Sequence, residues 1–78
     1  METIEKLFGE AVRRRRGELG LSQEDFADKA GIHRTYVSSI ELGKVQVSIG
    51  VAQKLAQALE KPLSKIWREL EKSAGKDE

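Results

Sequence analysis

LSQEDFADKAGIHRTYVSSIELG, residues 21–43, decides the fold of this chain. Phe26, Ala27 and Ala30 recur at helical spacing after Ser22, whose hydroxyl can accept a hydrogen bond from a first-turn amide as an N-cap. Gly31 tolerates the positive φ needed where a helix stops abruptly, and Ile32 just beyond it can fold back as an apolar plug. After the turn, Val37 and Ile40 lie three apart on one face, while Arg34, Thr35, Ser38 and Ser39 put small polar groups or a guanidinium on the others. Two short helices therefore meet at a tight turn, and the second offers a sparse surface suited to touching a partner. The spacing fits a helix-turn-helix, which points to DNA.

Outward from this stretch the chain reads as helical throughout. Ile4, Leu7, Phe8, Ala11 and Val12 follow the i, i+3, i+4, i+7, i+8 pattern, which predicts an amphipathic helix from about Thr3 to Leu19 with Thr3 as its cap. Gly20 ends it and Leu21 re-enters the core. On the other side, Gly43 to Val47 form a loop, and Ser48 caps a helix that buries Ile49, Ala52, Leu55, Ala56 and Leu59. Pro62, the only proline, fits the first turn of a fifth helix whose Leu63, Ile66, Trp67 and Leu70 make one apolar seam. The apolar pattern stops there. The expected architecture is an all-α, five-helix domain over residues 1–72, with residues 73–78 as a frayed tail.

Composition narrows the function. Seventy-eight residues make one domain that buries a modest fraction of its surface, so dimerisation would add to its stability. No stretch is long and apolar enough to span a membrane, and the amino terminus lacks a secretory pattern. Cysteine is absent, which removes disulfides, thiolate ligands and thiol nucleophiles together and makes a cytoplasmic location the default. His33, the only histidine, has no cysteine partners, so neither a metal site nor a cofactor is expected. No glycine-rich phosphate loop or nucleophile pattern indicates an enzyme. The net charge is only +1, and residues 1–47 carry eight basic and eight acidic side chains. A positive surface must then come from sorting charges onto different faces. Arg13 to Arg16 cannot form one patch, because a helix spreads four consecutive residues around its circumference.

Ser22-Gln23, Ala27, Gly31, Val37-Ser38, Ile40-Glu41 and Gly43 resemble the helix-turn-helix of the phage repressor and Cro family, also called the xenobiotic-response-element family. His33-Arg34-Thr35-Tyr36-Val37-Ser38, followed by Val47-Ser48-Ile49 after a short loop, resembles the controller proteins of restriction-modification systems. The resemblance implies a repressor-like fold in which the second helix of the motif enters the major groove. Arg34 is then the first candidate for base readout, since a guanidinium can donate two parallel hydrogen bonds to guanine O6 and N7. Thr35, Ser38 and Ser39 complete the reading set. Gln23, at the start of its helix, is implied to bond a phosphate, with His33 and Lys44 also on the DNA backbone. Tyr36 could reach that backbone or cover the core. The resemblance further implies an ion pair between Arg16 and Glu41, and Glu41→Ala is expected to unfold the domain. Leu42 stands where many relatives carry arginine, and Val45-Gln46 replaces an Arg-Asn-like pair.

The expected function is a homodimeric transcription regulator on a roughly palindromic double-stranded DNA operator, possessing no evident small-molecule ligand. Leu63, Ile66, Trp67 and Leu70 are assigned to the dimer interface, the alternative being that all four close a monomeric core. A prophage repressor or antitoxin-type regulator would use the same domain. A protein-interaction adaptor would instead use the surface from Leu42 to Val47, taking Leu42 and Val45 as exposed.

Overall fold

Capping fixes where each helix begins. In the computed structural model, which describes residues 2–75, Thr3, Ser22 and Ser48 each take an extended backbone, and each hydroxyl accepts from the amide three residues on, at 3.2, 3.0 and 3.1 Å. The helices that follow are α1 (Ile4–Glu18), α2 (Gln23–Ala30), α3 (Arg34–Glu41), α4 (Ile49–Ala58) and α5 (Leu63–Gly75), with no strand among the described residues. Pro62 lies one residue before α5, its carbonyl accepting from the amides of Lys65 and Ile66. The helix runs on through Gly75, three residues past Lys72; the rest of the expected tail, 76–78, lies outside the described residues.

The helix ends share one device. Gly31 is left-handed at φ +73°; its amide donates to Asp28 and the amide of Ile32 donates to Ala27, closing α2 in a Schellman motif with Ile32 packed on the core. The same pair of bonds ends α4 at Glu60, a non-glycine residue held at φ +55°. Lys29 Nζ reaches Glu60 Oε2 at 2.7 Å from α2.

Phe8, Val12, Phe26, Val37, Ile40, Leu55, Leu59, Ile66 and Leu70 form the core. α1 packs on α3 and α5, α2 on α3 and α4, and α4 on α5. The tightest approach is between α1 and α3 at Gly9, where a Cβ would stand 2.2 Å from the Ile40 carbonyl oxygen and 2.8 Å from that of Glu41. Only glycine lets the backbones meet there, and this approach sets where α3 lies on the domain. Arg15 adds a second tie: its Nε donates to the Leu59 carbonyl at 3.0 Å, satisfying a backbone acceptor at the end of α4.

The fifth-helix seam divides. Ile66 and Leu70, 3% and 1% exposed, belong to the core and cannot serve a partner, which corrects their assignment to a dimer interface. Leu63 is half-buried, and Trp67 is 48% exposed. At about 100° per residue, Ile66 and Leu70 fall on one side of the seam and Trp67 on the other, so one apolar stripe serves two surfaces.

Candidate nucleic-acid interface

α3 is anchored through its apolar and acidic face. Val37 and Ile40 are buried, and Glu41 points the same way into a polar cluster. Arg16 grips the Glu41 carboxylate with two nitrogens, Nε to Oε2 at 2.7 Å and Nη2 to Oε1 at 2.9 Å, and its Nη1 donates to the Leu21 carbonyl at 2.8 Å. The Glu41 side chain is 3% exposed. The hydrogen bond to Glu41 raises the pKa of Arg16 above its ordinary value against the opposing effect of burial, so the guanidinium is held charged. One cation thus ties α1, the segment entering α2 and the end of α3 together.

Gln23 joins the cluster, its Nε2 donating to Glu41 Oε1 at 3.2 Å. A carboxylate can only accept, so this bond fixes which end of the amide faces inward and leaves the second N–H of Nε2 for another acceptor. Glu24 and Asp25 follow in the first turn of α2, where they favour the helix but oppose an anion. A phosphate at this corner would be held by the Gln23 amide rather than by the local field. The first turn of α3 differs: it holds no acid, and His33, at its N-cap, makes no side-chain cap. Its positive end stays open to an anion.

The rest of α3, Tyr36 apart, faces solvent fully or in part. At about 100° per residue, Arg34, Ser38, Leu42, Thr35 and Ser39 fall at roughly 0°, 40°, 80°, 100° and 140° around the helix, one continuous arc. Arg34, Thr35 and Leu42 are exposed, while Ser38 and Ser39 are partly so. His33 and Lys44 are exposed at the two ends of the helix. The four residues expected to read bases therefore share one face of α3, His33 and Lys44 flank the helix in the chain, and Gln23 is tied to its far end through Glu41. Tyr36 is half-buried against the core, so it is at least partly a core residue. Val45 also packs against the core, which corrects the expectation that it is exposed with Leu42. Gln46 donates to Glu5 at 3.2 Å and ties the loop back to α1.

Sequence reasoning did not find Gly9, the Arg15 tie or the bond from Gln23 to Glu41. A glycine inside a helical pattern is a signal for close packing, and Gly9 carried it. For the other two, nothing in the spacing names the partner.

A helix-turn-helix family profile matches residues 12–66. Control protein C.MunI from a Mycoplasma species is 40% identical over 73 residues, 92% of this chain and 99% of that protein. The restriction-modification controller protein C.AhdI from Aeromonas hydrophila superposes with a TM-score of 0.77 at 37% identity, covering 80% of this chain and 94% of that one. C.Esp1396I, solved as a tetramer in complex with its natural 35 base-pair operator, superposes with a TM-score of 0.83 at 26% identity, over 92% of this chain and 95% of that one. The chain belongs to the helix-turn-helix family, and restriction-modification controllers are among its full-length relatives.

Proposed function

We propose that this protein is a cytoplasmic, homodimeric transcription regulator of the controller type, binding a roughly palindromic operator through α3. The observation that carries the reading is the exposed arc of α3, with Arg34 at its amino end and Gln23 and Lys44 at its margins. Arg34 donates to guanine O6 and N7. Thr35 offers a hydroxyl and a methyl, and Ser38 and Ser39 are short enough for the helix to approach the base edges closely. The free N–H of Gln23, Lys44, His33 and the open end of α3 hold phosphates and set the register on the duplex. None of these groups does covalent chemistry, and the role is binding alone.

The dimer uses the outer half of the α5 seam, Leu63 and Trp67, together with residues of α1 and α4. Ile4, Phe8, Ile49, Ala52, Leu63 and Trp67 line an open groove of about 620 Å³ between α1, α4 and α5. Ile49 is 84% exposed, an unusual position for a large apolar side chain. A second copy of this chain is the occupant that brings two recognition helices together, about 34 Å apart along one DNA face. C.Esp1396I, whose chain superposes over nearly the whole of this one, assembles on its operator as a tetramer.

Arg34→Ala tests the reading. Arg34 is exposed, so the melting temperature stays at the wild-type value, while affinity for the operator falls by ~1–3 kcal/mol. Unchanged DNA affinity would reject base readout by α3 and favour an adaptor that uses the fold for a protein partner.

A further inference from the structure

We propose that Leu42 is a specificity-determining residue that reads the C5-methyl group of a thymine in the major groove. The proposal rests on the reading of α3 as the recognition helix and adds to it a contact of a different chemical kind.

Leu42 is 56% exposed and is not among the residues that pack against the core or line the apolar groove. Neither folding nor the dimer surface accounts for it. Its place on α3 does: on the wheel it lies at the middle of the exposed arc, between Ser38 and Thr35, and it is the one large apolar group there. Its short neighbours leave it standing out from the helix surface.

The position is also rigid. The Leu42 amide donates to the Ser38 carbonyl at 3.1 Å, and the next amide, of Gly43, donates to Ile40 at 3.0 Å. Gly43 is at φ +72°, and a Cβ on it would stand 2.7 Å from the Lys6 Cα, so the chain just past Leu42 is pressed against α1. Leu42 therefore belongs to the fixed end of a helix and not to a mobile loop.

A leucine side chain has no donor or acceptor, so on a base edge it can recognise only an apolar group. Among the four DNA bases, thymine alone presents one in the major groove, its C5-methyl. Eight residues at about 1.5 Å rise place Leu42 about 12 Å along α3 from Arg34. At about 3.4 Å per base pair, the thymine lies within about four pairs of the guanine that Arg34 reads.

The test is a thymine-to-uracil scan. Wild type and Leu42→Ala each select sites from random duplexes, and each thymine of the wild-type half-site is then replaced singly by uracil, which removes only the methyl. One thymine per half-site is expected to respond: its replacement weakens wild type about fourfold, the effect of one buried methyl group, and leaves Leu42→Ala unchanged. Leu42→Met, which keeps an apolar side chain, retains the sensitivity. A scan in which no uracil weakens wild type, or in which Leu42→Ala responds equally, overturns the assignment while α3 remains the reading helix. A wild-type protein that selects no sequence overturns the DNA reading, and this contact with it.

Discussion

Glu41→Ala removes the carboxylate on which the anchoring of α3 depends. Arg16 would lose both of its short hydrogen bonds to Glu41 and keep only the one to the Leu21 carbonyl, and Gln23 would lose its acceptor. Because the Arg16 side chain is 16% exposed, water cannot fully replace these partners. Breaking such a pair from one side costs ~3–5 kcal/mol, since a charge is left in a partly dry site. A domain of this length has a total stability of roughly 4–12 kcal/mol at typical values per residue. The substitution therefore consumes a large fraction of it, or all of it. With a shift of about 4–8 °C per kcal/mol, the midpoint falls by roughly 12–40 °C. Thermal unfolding followed by far-ultraviolet circular dichroism measures this directly. The double variant Arg16→Met, Glu41→Leu separates charge from packing: replacing both partners by apolar side chains leaves no orphaned charge, so most of the loss returns. A Glu41→Ala protein melting within a few degrees of wild type would refute the reasoning, as would a double variant no more stable than the single one.

Gly9→Ala drives a methyl into the Ile40 and Glu41 carbonyls and is expected to destabilise by ~1–3 kcal/mol. Gly17→Ala on the same helix meets nothing within 4 Å and is expected to stabilise by ~0.5–1 kcal/mol, so denaturant midpoints of the two variants move in opposite directions. The hydrogen bond and charge of Lys29 hold the Glu60 carboxyl below its ordinary range. The stabilisation from that pair is present above the unfolded-state pKa and is lost as pH falls through the folded one. In Lys29→Met the Glu60 titration, followed by NMR, moves back up; an unchanged midpoint would show that Lys29 is not the cause. Ile49→Glu and Trp67→Glu place charges on the apolar groove, and sedimentation is expected to show monomers with wild-type helicity. Wild type that is monomeric at high concentration would overturn the dimer proposal itself.

The features legible in the sequence are those that depend on one segment alone. Thr3, Ser22 and Ser48 cap because a short hydroxyl residue before an apolar period can hardly do otherwise, and Gly31 marks a turn that most other residues would strain. Arg16 and Glu41 could be paired only through the family resemblance, because their 25-residue separation carries no local signal. What stayed hidden depends on which neighbour covers which face. Periodicity showed that α5 has an apolar stripe, but only the position of α1 and α4 against it divides Ile66 and Leu70 from Trp67. Arg15 finds the end of α4 through a contact 44 residues away, a pairing that no local pattern announces. Val45 and Leu42 look alike as exposed apolar residues in sequence. One packs on the core and the other stands on the arc of α3.

The central claim is that two copies of this chain read a symmetric DNA site with α3. Selection of bound fragments from genomic DNA by the purified protein tests it most directly. The expected result is an inverted repeat whose half-site centres lie about one helical turn, or a whole multiple of it, apart along the duplex. No enriched sequence, or a single asymmetric element bound by one copy, would contradict it.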